Sequence, residues 1–294
     1  MKEQQHIFTN KMLRTLLIPV IFEQVLNSLM GTVDTMMVSN VGSAAISAVS
    51  LVDSINVLVI QAFSALAAGG AILCSQYIGQ KNHEMANKSA RQVLFIITAI
   101  SVAVTALCLL FRVPLLKLIF GKVEADVMTA SQVYFFYTAL SFPFIALYDA
   151  GASIFRSQGN TRGPMTVSVI SNVINIGGNA ALIWGFNMGV AGAAYATVIF
   201  QGVSGFLCLI FIIKKVPVLH MEKGEFRLEK NLSIQQLKVG FPMALQYSIT
   251  AIGTMMVQSA LNMLGSIAVA AFTAANKIEN LLTQAYVAQG VTMA

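Results

Sequence analysis

An all-α polytopic membrane protein is the fold class this sequence predicts, and three observations predict it. Hydrophobic residues make up 56% of the 294 and charged ones only 10%, with a mean hydropathy of +0.74, whereas a soluble domain carries about 25% charge. The charges cluster, leaving residues 54–80, 92–111, 127–148, 163–213 and 239–276 without any Asp, Glu, Lys or Arg. The apolar runs lack the two-residue alternation of an outer-membrane barrel.

A helix needs about 20 apolar residues to cross the hydrocarbon core, which sets the spans in order. The first covers 13–38. Basic residues precede it as they would a signal peptide, but no small-residue cleavage site follows and the stretch is too long for an h-region, so it is an uncleaved helix. The next three, 46–75, 91–111 and 129–153, are drawn around charge-free runs. The 51-residue run 163–213 holds two spans, 164–185 and 191–213, parted by the turn-rich WGFNMGVAG at 184–192. After it comes KKVPVLHMEKGEFRLEKNLSIQQLK (214–238), where Pro217 ends the sixth span. Its charges, mixed with Phe226, Leu228, Leu232 and Leu237, fit either a short amphipathic helix on the inner membrane surface or a solvated tether. Spans at 239–262 and 267–294 bring the total to about eight.

Lys and Arg set orientation. With a cytoplasmic N-terminus, fourteen lie in inner segments, including Lys11, Arg14, Lys81, Lys88, Arg156 and Arg162, against Arg112, Lys117 and Lys122 outside. The net charge of +6 is therefore an orientation signal in a multi-pass protein of the cytoplasmic membrane, and no nucleic-acid partner is expected. Cys74, Cys108 and Cys208 fall inside apolar segments, and their odd number and spacing fit buried thiols better than disulfides or a metal site.

Sliding the chain by 223 residues aligns Pro19 with Pro242, Gly42 with Gly265, Ser43 with Ser266 and six further identities, Gln61 with Gln284 among them, without a gap. A parallel repeat of this kind is a known transporter design, with two halves facing each other across a central cavity. The expected organisation is a six-helix lobe over 1–213, a cytoplasmic linker over 214–238, and the first two helices of a second lobe over 239–294. Four more spans are expected in a full chain.

Polar residues inside the spans are the candidate site. In the first span Glu23, Asn27 and Asp34 fall at i, i+4 and i+11, within roughly 40° of one another at 3.6 residues per turn. An intramembrane carboxylate is functional by default, and Asp34 is the coupling candidate; Glu23 is a substrate contact or a structural partner. In the fifth span Ser168, Asn172, Asn175 and Asn179 share one face. Their amides suit either interhelical packing or coordination of a hard cation through oxygen. The second span adds Asp53 and Asn56, whose repeat partners are Asn276 and Glu279, beside Lys277. Enzymatic readings have little support: there is no phosphate-binding GxxxxGK[ST] loop, and HEMAN at 83–87 lacks the second histidine of a zinc-protease helix.

TVDTMMVSNVG (32–42), SQYIGQKNHEMANK (75–88), FRSQGNTRGPM (155–165) and NVINIGGNAALIWGFNMGVAGAAYATV (172–198) resemble the multidrug and toxic compound extrusion family. The likeness implies twelve helices in two lobes, acting as an antiporter that exports cationic or amphipathic drugs and toxic compounds in exchange for H+ or Na+, with no cofactor. It also implies a cation site at Asp34, Asn175, Asn179 and Thr197. Some members carry Asp where Asn179 stands, so this chain has one carboxylate fewer, which favours protonation of Asp34 over tight Na+ binding. Glu23, Asn27, Asn172 and Asp53 are the expected substrate-cavity residues, and a monomer in the lipid bilayer is the expected state. Two rivals remain. A lipid-linked saccharide flippase of the same fold would line its cavity with Arg to hold phosphate, and the first-lobe spans as drawn carry Arg only at their cytoplasmic ends, Arg14 and Arg91, with no Lys. A non-transporting membrane interaction protein would use the polar stripes as packing contacts.

Overall fold

In lipid, backbone polar groups must be satisfied within their own segment, so long apolar runs fold as helices. The computed structural model describes residues 10–39, 43–120, 125–186, 189–215, 229–262 and 266–293. These form α1 (Asn10–Ser39), α2 (Ser43–Gly79), α3 (His83–Leu110), α4 (Arg112–Phe120), α5 (Ala125–Ser157), α6 (Arg162–Asn179), α7 (Gly189–Lys215), α8 (Lys230–Asn262) and α9 (Ser266–Met293). A wider π-helical stretch, Ala180–Gly185, prolongs α6. All but the nine-residue α4 match the eight expected spans. Stretches of α1, α2, α3, α5 and α6 are long and apolar enough to cross a membrane, and Tyr195–Phe211 of α7 is a shorter apolar one.

Exposure is inverted relative to a water-soluble protein. Leu118, Leu110 and Leu282 are 85%, 77% and 73% exposed, while Ser171, Asn172, Asn175 and Asn179 are all 3% exposed or less. Apolar side chains that water would expel are at home against lipid tails, and polar groups turn inward to find partners. Between α2 and α5 the interior is aromatic, with Phe63 edge-on to Phe142 at 6.2 Å between ring centroids.

Two helix-to-helix turns share a Gln-x-Asn pattern and one geometry. Gln80-Lys81-Asn82 joins α2 to α3, and Gln158-Gly159-Asn160 leads α5 into α6. In each, the middle residue is left-handed, Lys81 at φ 59° and Gly159 at φ 72°. The following Asn N–H bonds back five residues, Asn82 to the Tyr77 carbonyl at 3.0 Å and Asn160 to the Phe155 carbonyl at 3.0 Å. This satisfies carbonyls left over at a helix C-terminus. Each Asn side chain then accepts from the N–H three residues on, Met85 or Gly163, both at 3.1 Å. These turns lie at the basic end of the bundle, where Lys11, Arg14 and Arg162 meet around the start of α1. Arg112 and Lys117 lie at the far end, where Arg112 sits 5.3 Å above the Phe136 ring.

The stretch 214–238 differs from the expected linker. Residues 216–228 lie outside the described residues, but α8 is already helical from Lys230. The reason is docking: Leu232, Ser233 and Gln236 are buried. Ser233 donates to Gln92 Oε1 at 3.2 Å, and Gln236 Nε2 donates to the Ser89 carbonyl at 2.8 Å and its hydroxyl at 3.1 Å. Farther along, α8 meets α2 backbone to backbone, since a Cβ at Gly69 would fall 2.4 Å from Gly240 Cα. α1 packs in turn on α9. The 223-residue shift carries the first residue of α2, Ser43, onto the first residue of α9, Ser266. It therefore exchanges these two contacts.

Candidate functional site

Polar faces spaced three and four residues apart on neighbouring helices must converge if each is to avoid lipid. Here they enclose a cavity of about 480 Å³ between α1, α2, α5, α6 and α7, within the range of small-molecule sites. On the α6 side, Asn27 Oδ1 of α1 accepts from Ser168 Oγ at 2.7 Å and from Asn172 Nδ2 at 3.1 Å. Two turns farther from the basic end, Asn179 Nδ2 donates to Asn175 Oδ1 at 3.1 Å. On the α2 side, Asp53 Oδ1 accepts from Tyr134 and from Asn56 Nδ2, both at 3.3 Å. Two buried polar atoms of the wall, Asn56 Oδ1 and Ser171 Oγ, have no hydrogen-bond partner, which leaves them for a ligand or water.

The structure brings Asn27, Asp53, Asn172, Asn175, Asn179 and Thr197 to one cavity wall. Asp34 sits on α1, and its side chain lies outside the described residues. Glu23, expected in the substrate cavity, does not line it. It is 1% exposed and bonded at 2.7 Å to Arg156, with the Tyr148 hydroxyl donating to the same Oε1 at 2.8 Å. Arg156, expected on the cytoplasmic side, stands on the last turn of α5 and turns inward to Glu23. Desolvated carboxylates need such partners. Of the repeat partners, Glu279 is exposed and the Lys277 side chain lies outside the described residues.

Asp149 is the residue that spacing arguments passed over. It lines the cavity and accepts from Ser64 Oγ at 2.8 Å. Two signals could have found it. It stands immediately after the charge-free run 127–148, inside the fourth span, and Tyr134, Thr138, Ser141, Ile145 and Tyr148 trace one helix face at alternating steps of four and three. All five line the cavity. Among the described residues its wall thus carries two carboxylates, several amide and hydroxyl groups, aromatic rings and neither Lys nor Arg. Such a surface suits a positively charged or partly apolar guest. No three His, Cys, Asp or Glu side chains converge as a metal site among the described residues.

The sequence profile of the family described as MatE matches residues 19–181, which include the first-span stripe and the α6 ladder. The chain is 27% identical to the probable multidrug resistance protein YoeA of Bacillus subtilis, over 94% of this chain and 61% of that one. It is 28% identical to the probable multidrug resistance protein NorM of Thermotoga maritima, over 92% and 59%. With the uncharacterized transporter YisQ of Bacillus subtilis the identity is 32%, over 77% and 50%. The chain thus spans about half to three fifths of the length of these relatives. A solved MOP-superfamily transporter from Pyrococcus furiosus superposes with a TM-score of 0.88 at 22% identity, over 96% of this chain and 62% of that one. With the same helix arrangement and a family profile that runs across more than half its length, this chain belongs to the multidrug and toxin extrusion family of multi-pass membrane transporters.

Proposed function

We propose that the chain provides the first lobe, and part of the second, of an ion-coupled antiporter that exports cationic or amphipathic compounds. The observation that carries this reading is the cavity, which has apolar and aromatic walls and, among the described residues, Asp53 and Asp149 as its charges and no basic residue. That lining argues against a lipid-linked saccharide, whose phosphates call for arginine. The arginine that α5 does carry is held by Glu23. The relatives named as multidrug resistance proteins support the same substrate class.

Coupling is assigned to Asp34 with Asn175, Asn179 and Thr197, and to a proton rather than Na+. A charged carboxylate at mid-membrane costs about 2.5–3.5 kcal/mol on insertion scales, so taking up a proton removes a real penalty and lets α1 repack. The basic end, with Lys11, Arg14, Lys81 and Arg162, faces the cytoplasm in this reading. The test is drug efflux by the Asp34→Asn variant of the full-length transporter, at equal expression and across a range of external pH. Loss of pH-driven efflux is expected, and efflux at the wild-type level would refute the assignment.

A further inference from the structure

Three charged side chains meet at the basic end of the cavity, and their arrangement is uneven. Arg156 Nη2 is bonded to Glu23 Oε1 at 2.7 Å, while Arg156 Nε and Glu23 Oε2 are both buried without a partner. Asp149 stands seven residues before Arg156 on α5, on the same helix face and about 10.5 Å away along the axis. The two form no ion pair, and Asp149 keeps its place in the cavity wall. Asp149 instead accepts one hydrogen bond, from the neutral Ser64 hydroxyl. Of the pair of carboxylates near this guanidinium, one is bonded to it and sealed below the cavity, and the other faces the cavity.

Building on the export of positively charged compounds, we propose that Asp149 is the carboxylate that selects cationic cargo, and that Glu23 is a positioning residue that keeps Asp149 available by holding Arg156. The chemistry is competition for one cation. A buried guanidinium without a partner is costly, so removing Glu23 drives Arg156 toward the remaining carboxylate, two turns back on the same helix face. An arginine seated on Asp149 fills the place of the cargo's positive charge and repels it. Glu23 therefore governs cargo affinity without touching the cargo, which is why a residue predicted to line the cavity lies beneath it.

The experiment is equilibrium binding to the protein in lipid nanodiscs, with tetraphenylphosphonium as the cationic probe and triphenylphosphine oxide as a neutral one. Asp149→Asn should weaken tetraphenylphosphonium about tenfold and leave the neutral probe within about twofold, while Asp149→Glu should stay within about threefold of wild type. Glu23→Gln should also weaken the cation about tenfold, and the double variant Glu23→Gln/Arg156→Gln should restore it to within about threefold. A merely structural Glu23, or one that binds cargo directly, would give no such rescue. If Glu23→Gln alone fails to fold, Glu23→Asp, whose shorter carboxylate loosens its hold on Arg156, takes its place: weaker cation binding with an unchanged neutral probe is expected, and unchanged binding of both overturns the positioning role. Undiminished cation binding by Asp149→Asn overturns the selectivity role, and failure of the double variant to bind overturns the positioning role. Wild-type protein that binds neither probe, or only the neutral one, would instead refute the cationic-export reading on which both rest.

Discussion

Replacing Gly69 by alanine probes the contact between α2 and α8. The added Cβ would lie 2.4 Å from Gly240 Cα and 2.5 Å from Gly240 N. Carbon atoms rest at about 3.5–4.0 Å, so the overlap is roughly 1.1–1.6 Å. The obstacle is backbone and cannot rotate aside, so the helices must part. Overpacking of this kind costs about 1–3 kcal/mol. The separation also stretches the bonds from Gln236 to Ser89 and from Ser233 to Gln92, now 2.8–3.2 Å, and such bonds average about 0.6 kcal/mol in a membrane protein. Alanine's better helix propensity returns about 1 kcal/mol. The net loss is about 2 kcal/mol, or roughly 4–8 °C in Tm for a chain of this size. Gly253→Ala on α8 is the control, because its Cβ meets nothing within 4 Å. Thermal unfolding of both variants in detergent, followed by size-exclusion recovery of the folded protein, gives the comparison. Equal Tm for Gly69→Ala and Gly253→Ala would refute the close approach of the two backbones.

Three further outcomes are expected. Asn27→Ala strands the Ser168 and Asn172 donors that now share its Oδ1, and should lower stability by about 1–2 kcal/mol; an unchanged detergent unfolding curve would count against that network. Lys81 holds a left-handed conformation that glycine fills at Gly159 in the twin turn, so Lys81→Gly should raise stability by up to about 1 kcal/mol, with a lower Tm as the contrary result. In a background lacking Cys74, Cys108 and Cys208, an impermeant thiol reagent added to intact cells should label Lys117→Cys and spare Lys81→Cys. The opposite pattern would invert the topology.

What was legible in the sequence follows from how each property is encoded. Span positions are written in long charge-free runs, and the Asn ladder of α6 in a four-three spacing, so both could be read locally. Asp53 and Asn172 reached the cavity for the same reason: each lies on a polar face that has nowhere else to turn. Glu23 obeyed the same rule, yet its partner lies 133 residues away on α5, and no local pattern announces that Arg156 bends inward. Asp149 escaped because it borders a run defined by its lack of charges. The start of α8 was set too late because Ser233 and Gln236 look like surface polarity in one dimension. Only the facing Ser89 and Gln92 make them interior.

The backbone contact of Gly69 with Gly240 has a mechanical consequence. Meshed side chains behave like gear teeth, which must disengage before one helix can roll over another. Two glycines leave no teeth at that point, so α8 can pivot on α2 there with little repacking. The contact lies about ten residues inside the basic end, some 15 Å along either helix. It thus acts as a fulcrum set off centre, with a short arm toward the basic end and a longer one toward the far end. A roll of 10° about it would move a point 30 Å away by roughly 5 Å, from the rise per residue of the longer arm. The end of the shorter arm would move about half as far, and Gln236, roughly 6 Å from the contact, about 1 Å, which lengthens its bonds to Ser89 from 2.8 and 3.1 Å and loosens that end.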